Sequence, residues 1–221
     1  MAPPEEGHLP PSREENLLPT WLAIVFFASG FSALSYQLVW QRALFTIYGI
    51  DIQSVTIVVS AFMLGLGIGS LAGGYASKRW PRRAVLGFAL AELGIGAYGL
   101  ASLRIFDWAA AATLQASSIA TAFVTFGLVL VPTLLMGATL PLLVGHAVAR
   151  GGSVGSAVGA LYGINTVGSA LACFATALLL FDLLGLEGTT AMAAGLNLLG
   201  GAFAWRCARS TPGPDVERPH R

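Results

Sequence analysis

Residues 52–77 read IQSVTIVVSAFMLGLGIGSLAGGYAS and contain no Asp, Glu, Lys or Arg. A helix needs about 20 mostly apolar residues to cross the hydrocarbon core of a bilayer, and this stretch exceeds that length. Lys78 and Arg79 follow directly, as is typical of a spanning helix that emerges on the positively charged side of a membrane. The stretch therefore predicts a transmembrane helix.

The rest of the chain has the same apolar character. Of its 221 residues, 55% are hydrophobic and 10% are charged, and the mean hydropathy is +0.72, whereas soluble domains carry about 25% charged residues. A net charge of +1 provides no basic face for nucleic acid. Two cysteines, Cys173 and Cys207, are too few for a disulfide scaffold or a cysteine zinc site. The composition predicts a polytopic membrane protein and excludes a soluble enzyme, a disordered chain and a nucleic-acid-binding protein.

Six stretches are long and apolar enough to span a bilayer, which predicts an all-α, six-helix transmembrane bundle. They cover residues 21–47, 52–77, 84–103, 119–148, 154–183 and 188–207. Residues 106–118 are a weaker apolar stretch that predicts a short interfacial or re-entrant helix; if it spans instead, the count becomes seven. The membrane domain is predicted over residues 20–207, between disordered cytoplasmic tails at residues 1–19 and 208–221.

The distribution of basic residues predicts the orientation of the bundle. With six spans and the N-terminus inside, every Lys and Arg falls on the inside except Arg42 and Arg104, and such a bias marks the cytoplasmic side. Both termini are therefore predicted in the cytoplasm, in a bacterial inner (plasma) membrane. The N-terminal stretch lacks the basic start and cleavage pattern of a signal peptide, so the first span is expected to be retained as an anchor.

Short sequence matches favour an internal repeat. Gly69 begins the string GSLA in the second span, and Gly168 begins GSALA in the fifth. Glu92 in the third span precedes GAY by four positions, as Asn197 in the sixth precedes GAF. Because the matched spans are three apart and run in opposite directions, they predict an inverted three-plus-three repeat, as in half of a major-facilitator transporter. Small residues recur in all membrane helices, so chance matches are the alternative.

Glycines recur in several spans, and their setting decides their role. Residues 94–99, GIGAYG, match the dinucleotide fingerprint G-x-G-x-x-G, but that motif needs a strand, a turn and a helix N-terminus, whereas these glycines lie inside an apolar helix. Two other sets recur every four residues and form smooth helix faces, which pack either inside the bundle or against another copy or a partner subunit. These are Gly65, Gly69 and Gly73 in the second span, and Gly155, Gly159 and Gly163 in the fifth.

Glu92 is the only acidic residue predicted at mid-membrane depth. A charge there costs about 2.5–3.5 kcal/mol on insertion scales, so the carboxyl group must be protonated or paired. Two hypotheses follow. As a structural group, a neutral Glu92 donates a hydrogen bond to a neighbouring helix. As a functional group, it titrates, and carries a proton or binds a cationic substrate.

Polar side chains cluster at the end of the first span. Tyr36, Gln37, Gln41 and Arg42 fall within two helical turns. One interpretation is an interfacial belt, with Tyr36 and Trp40 at headgroup depth and the arginine reaching to the water. The other is a polar cluster that lines the mouth of a cavity.

Three more polar residues lie within later spans. Thr139 lies between two helix-bending prolines in the fourth span, and Tyr162 and Asn165 lie in the fifth. They predict interhelical hydrogen bonds or, alternatively, contacts to a ligand. No set of His, Cys, Asp and Glu has metal-ligand spacing, so no metal site is expected.

The loop between the second and third spans carries four basic residues, Lys78, Arg79, Arg82 and Arg83. It resembles the major-facilitator loop motif G-x-x-x-D-R-x-G-R-R, in which an acid and arginines help to control gating. Lys78 stands where that motif has the acid, and Pro81 where it has the second glycine. The alternative interpretation is a plain positive-inside anchor.

Four stretches together resemble the membrane-embedded N-terminal part of the bacterial fused major-facilitator/spermidine synthase-like proteins. The resemblance covers about residues 20–205 and is carried by residues 31–42 (FSALSYQLVWQR), 61–70 (AFMLGLGIGS), 136–142 (MGATLPL) and 161–168 (LYGINTVG). It implies a major-facilitator half fold. In that family a soluble aminopropyltransferase-like domain follows, which would bind decarboxylated S-adenosylmethionine and putrescine. This sequence has no catalytic motif of that domain, so neither a catalytic residue nor a cofactor is expected.

Two functions are compatible with these expectations. The first is a transporter-like subunit for a small solute such as a cationic amine, which dimerises around a central cavity lined by Glu92, Tyr36, Gln37 and Asn165. The second is a membrane anchor or regulatory subunit for a separately encoded soluble enzyme, such as an aminopropyltransferase in polyamine synthesis, contacted through the basic loop and the cytoplasmic tail. The expected partners are the lipid bilayer, a second copy of the chain and that enzyme.

Overall fold

A computed structural model describes residues 19–48 and 51–210, with side chains over residues 19–45 and 55–210. The described residues form helices and no strands. The helices are α1 (Thr20–Tyr48), α2 (Asp51–Arg79), a 3₁₀ turn (Pro81–Arg83), α3 (Ala84–Ala112), α4 (Ser118–Ala149), α5 (Val154–Ala175), a π-helical turn (Thr176–Leu180) and α6 (Phe181–Ser210). The prediction of an all-α chain with several membrane-spanning helices is confirmed. Within the predicted tails, residues 1–18 and 211–221 lie outside the described residues.

Five helical segments of the described chain are long and apolar enough to cross a membrane, whereas six were predicted. These segments are Thr20–Phe45, Val55–Arg79, Pro81–Ala112, Ser118–Ala149 and Val154–Ser210. The predicted fifth and sixth spans form one continuous segment. The residues expected to form a loop between them are helical, except for a single residue. That residue is Gly185, whose φ of 64° and ψ of −169° are open only to glycine.

The segment Val154–Ser210 turns back on itself at Gly185. One apolar cluster gathers around Trp40 at the C-terminal half of α1, and a second gathers around Phe26 at its N-terminal half. The segment contributes Leu161 to the second cluster, then Phe181 and Leu186 to the first, and finally Ala204 to the second again. The chain therefore runs from one end of the bundle to the other and returns.

Residues 106–118 do not form the separate interfacial or re-entrant helix that was expected. Residues 106–112 continue α3 to its end at Ala112, because nothing in this alanine-rich stretch interrupts the helix. Ser117 then begins α4, and its side chain accepts a hydrogen bond from the backbone N–H of Ala120. That contact is the usual N-cap of a helix.

The helices pack in pairs, α1 with α5, α2 with α4, and α3 with α6, while α3–α4 and α1–α6 form further contacts. Gly65, Gly69 and Gly73 face α4, where an added Cβ would collide with Thr133, Leu134 and Ala138 respectively. Gly155, Gly159 and Gly163 have no described atom within 4 Å of such a Cβ. The α2 glycines thus serve packing inside the bundle, whereas those of α5 face outward.

Candidate functional site

Glu92 lies in the first third of α3, between the two apolar clusters, and its side chain is 1% exposed. Both carboxyl oxygens accept hydrogen bonds from other helices. Ser29 Oγ of α1 donates to Oε1 at 2.6 Å, and Asn197 Nδ2 of α6 donates to Oε2 at 2.6 Å. A single carboxyl group therefore joins three helices at the centre of the bundle.

The donors make Glu92 tolerable at this depth. A buried polar group without a partner costs about 1–3 kcal/mol, and more when it is charged. Hydrogen bonds to a carboxylate are short and about twice as strong as those between neutral groups, and both bonds to Glu92 have such lengths. Both oxygens of the buried carboxyl group are therefore satisfied by neutral donor side chains.

The same cluster can hold the protonated acid. Asn197 Oδ1 is buried and has no hydrogen-bond partner among the described residues. Because the amide group presents a donor on one side and an acceptor on the other, a half-turn of the Asn197 side chain would offer Oδ1 to a protonated Glu92. Asn197 can therefore form a hydrogen bond with either form of Glu92, through Nδ2 with the carboxylate and through Oδ1 with the protonated acid.

The contacts of α3 and α6 around this hydrogen bond are reciprocal. A Cβ built on Gly96 would lie 3.0 Å from the Ala194 oxygen and 2.8 Å from Leu198 Cγ. A Cβ built on Gly201 would lie 3.0 Å from the Ala89 oxygen and 2.9 Å from Leu93 Cγ. Gly201, Ala194 and Leu198 of α6 lie 105 positions after Gly96, Ala89 and Leu93 of α3 respectively. Asn197 also lies 105 positions after Glu92. The two glycines allow the close approach that brings these polar side chains together.

Tyr36 is fully buried, and so is Trp40 beside it. Their rings stack with centroids 5.1 Å apart, and Trp40 Nε1 donates to Ser102 Oγ at 3.0 Å. The Tyr36 hydroxyl lies against Gly99 and has no hydrogen-bond partner among the described residues. This burial contradicts the interpretation of these aromatic rings as an interfacial belt, because both rings belong to the apolar core.

The other candidates of the first span lie nearer the surface. Gln37 and Gln41 are half-buried and Arg42 is exposed. The Arg42 guanidinium lies 4.9 Å from the centroid of the Phe181 ring, a cation–π contact that ties the end of α1 to the start of α6. These three side chains do not join the Glu92 cluster.

The candidates of the fourth and fifth spans make interhelical or local contacts. Thr139 Oγ1 donates to the Met136 carbonyl of its own helix at 2.7 Å, and Asn165 Nδ2 donates to the Phe26 carbonyl of α1 at 3.3 Å. Tyr162 is 62% exposed on the outer face of α5. Within one copy of the chain, these three side chains therefore do not share hydrogen bonds with Glu92.

Sequence reasoning did not single out Ser29, although a signal was present. Serines recur at positions 29, 32 and 35 of α1. Ser29 donates a hydrogen bond to Glu92, and Ser35 Oγ lies within hydrogen-bond distance, 3.1 Å, of Thr176 Oγ1 in the π-helical turn. Small hydroxyl residues spaced along one apolar helix indicate a polar seam between helices.

The basic loop lies at the end of the bundle opposite Arg42. Lys78, Arg79, Arg82 and Arg83 are all exposed, and the Arg79 guanidinium lies 5.8 Å from the Trp80 ring centroid. None of them contacts the Glu92 cluster, whose polar partners are Ser29 and Asn197.

Among residues 19–45 and 55–210, no group of three His, Cys, Asp or Glu side chains is placed to hold a metal ion. The chain matches no family model, no curated protein and no solved structure. The resemblance to the spermidine synthase-like proteins therefore stays a prediction, and function must be argued from the site.

Proposed function

We propose that this protein is a transporter-like subunit for a small cationic solute, with Glu92 as the group that responds to a proton or to the solute. The observation that carries the proposal is the buried carboxyl group of Glu92, whose two oxygens are held by donors from α1 and α6. Ionisable residues inside membrane spans are costly and are usually functional. No other acidic side chain of the described residues is buried.

The helix contacts support an inverted repeat with six crossings, in which Gly185 separates the last two. Matched contacts like those of α3 with α6 are found again in two other helix pairs, because the contacts of α1 with α5 match those of α2 with α4. In the first match, a Cβ on Gly168 of α5 would meet the backbone oxygen of Phe27, and a Cβ on Gly69 of α2 would meet that of Leu134. In the second match, a Cβ on Gly30 of α1 would meet the backbone oxygen of Asn165, and a Cβ on Gly137 of α4 would meet that of Leu66. The interval from Gly69 to Gly168 equals the interval from Leu66 to Asn165. The interval from Gly30 to Gly137 likewise equals the interval from Phe27 to Leu134. The relation exchanges the first three helices with the last three.

The position of Glu92 suggests how transport would work. A cationic amine offers N–H donors that compete with Ser29 and Asn197 for the same two carboxyl oxygens. Because Glu92 is 1% exposed, a solute reaches it only after α1 and α6 separate from α3. Protonation of Glu92 would turn one acceptor into a donor and break the hydrogen bond from Asn197 until that side chain turns, and α6 can separate from α3 in that interval. This arrangement therefore corresponds to a closed state.

A second copy of the chain would complete the transporter. The Gly155, Gly159 and Gly163 face of α5 has no described atom near it. Such a smooth face allows close helix packing in a membrane. We infer that it meets another copy, so that two bundles enclose the solute path.

Uptake by proteoliposomes tests the proposed function. The purified protein is reconstituted and challenged with a panel of labelled small amines under a proton gradient. We expect uptake above that of protein-free liposomes, reduced to background by Glu92→Gln. The matched control is Asp107→Asn, since Asp107 is exposed on the same helix and loses the same charge. Absence of uptake by the wild-type protein would reject the function, and full uptake by Glu92→Gln would reject the role of Glu92.

The alternative, an anchor for a separately encoded soluble enzyme, stays a prediction. Purification from native membranes followed by mass spectrometry of the bound proteins tests it directly.

A further inference from the structure

A lateral groove opens where α2 ends, α3 begins and α4 passes behind them. Its volume is about 300 Å³, at the lower end of the range for ligand pockets. The lining includes Trp80, Arg83, Leu86, Gly87, Leu90 and Leu142. The groove therefore has one charged side chain at its mouth and an apolar floor.

The arrangement of α3 gives the groove its depth. Arg83 is the N-cap residue of α3 and precedes Gly87 by four residues and Leu90 by seven, and all three line the groove. At 1.5 Å per residue, this stretch extends about 10 Å from the arginine toward the middle of the bundle. Gly87 lacks a side chain, and a Cβ there would lie 3.3 Å from Leu142 Cδ2. The glycine thus keeps the floor open between α3 and α4.

The mouth of the groove is strongly positive. Lys78, Arg79 and Arg82 are exposed beside Arg83, and the sequence has no Asp or Glu from residue 78 to residue 91. Helix α4 contains no acidic residue over its whole length. The charge at this end of the bundle is therefore complementary to an anion.

We propose that this groove binds an anionic glycerophospholipid, with its phosphate on Arg83 and one acyl chain along Leu86, Leu90 and Leu142. Trp80 and Leu90 are 50% and 52% exposed, so the groove opens sideways, where a spanning bundle meets lipid. Tryptophan prefers the membrane–water interface, and basic pockets between spanning helices are suited to anionic headgroups. The proposal does not depend on transport.

The apolar floor selects among anionic ligands. A free phosphate would use Arg83 alone, whereas the acyl chain of a lipid also packs against the leucines that line the apolar floor. The groove is too small for a whole lipid, so it holds the phosphate region and part of one chain. The rest of the lipid would remain in the bilayer.

Native mass spectrometry of the purified full-length protein tests the proposal. Dissociation constants are measured for phosphatidylglycerol, for phosphatidylcholine with the same acyl chains, and for glycerol phosphate as a competitor. We expect phosphatidylglycerol to bind at least about fivefold more tightly than phosphatidylcholine, the factor for one basic contact at a membrane surface. Glycerol phosphate at the same concentration should not displace the lipid.

Three variants locate the site. Arg83→Gln should remove the preference for phosphatidylglycerol, and Leu90→Gln should weaken both lipids to the same degree. The matched control is Arg150→Gln, because Arg150 is an exposed arginine at the same end of the bundle but does not line the groove. Since Arg83 and Leu90 are exposed, their replacement should leave the fold intact, as thermal unfolding in detergent will show.

Three results would overturn the proposal. Equal affinity of the wild-type protein for the two lipids would show that the headgroup is not recognised. Displacement of the lipid by glycerol phosphate would indicate a bare phosphate site. A loss of preference in Arg150→Gln equal to that in Arg83→Gln would indicate unspecific attraction to the basic end of the bundle.

Discussion

Asn197 Nδ2 donates a hydrogen bond to Glu92 Oε2 over 2.6 Å and so joins α6 to α3 across 105 positions of sequence. The bond lies between two glycines, Gly96 and Gly201, whose surroundings on the opposite helix are nearly the same. A buried acid on α3 and its donor on α6 thus have matched surroundings on the two helices.

Removal of Asn197 alone should destabilise the bundle more than removal of both partners. Asn197→Leu leaves Glu92 Oε2 buried without a donor, at an expected cost of about 1–3 kcal/mol in the free energy of unfolding. In Glu92→Leu/Asn197→Leu no polar group of the pair remains, and Ser29 can bond within its own helix, so the double variant should be the more stable of the two. Thermal unfolding in detergent, with Ser70→Ala on the exposed face of α2 as the control, measures the difference. Additive losses would show that the two side chains act independently.

Two neighbouring glycines of α2, Gly67 and Gly69, should differ in how far their replacement lowers the stability of the bundle. A Cβ on Gly69 would collide with the Leu134 carbonyl of α4, whereas one on Gly67 would meet nothing within 4 Å. Gly69→Val should therefore destabilise by about 1–3 kcal/mol or more, since the helices cannot move apart without losing other contacts. Gly67→Val should leave the unfolding temperature nearly unchanged. Equal effects would show that α2 does not approach α4 as described.

The spans could be predicted from the sequence because hydrophobic length alone decides them. The break at Gly185 was harder to predict, since a single glycine with a positive φ interrupts the helix where a loop was expected. No composition signal distinguishes Gly185 from the many glycines that remain helical. The length of α3 was likewise underestimated, because Arg104 and Asp107 look like the end of a span although the helix continues past them.

The site could be predicted only in part. Glu92 stood out because an acid in an apolar helix is costly, and Asn197 appeared through the repeat. Which side chains contact Glu92 depends on how the helices are rotated in the bundle, which the sequence does not encode locally. Tyr36 shows the same limit, since an aromatic residue near a span end is typical of the interface, yet here it is fully buried.

The outward glycine face of α5 should control self-association without affecting the stability of one copy. Gly163→Leu places a large side chain where no described atom lies within 4 Å, so the monomer should unfold at the wild-type temperature while a dimer is lost. Light scattering in mild detergent measures the mass. Gly127→Leu is the control, because Gly127 of α4 also has open space but lies outside this face. An unchanged dimer in Gly163→Leu would assign the interface to another surface.

Six crossings require that the turn at Gly185 and the basic loop emerge on opposite sides of the membrane. Glu187 and Arg82 are both exposed, and the contact of Arg42 with Phe181 places the turn at the end of α1 that is remote from the loop. In a chain with Cys173→Ser and Cys207→Ser, a membrane-impermeant maleimide should label Glu187→Cys on intact cells. It should label Arg82→Cys only after permeabilisation.

The two ends of the merged segment complete the test of six crossings. Ser153 precedes α5 and Ser210 ends α6, so with a reversal at Gly185 both lie on the side of the basic loop. Ser153→Cys and Ser210→Cys should therefore be protected on intact cells, as Arg82→Cys is. If Val154–Ser210 crossed only once, these two positions would be labelled from opposite sides. That result would reject the reversal and with it the inverted repeat on which the proposed transporter rests.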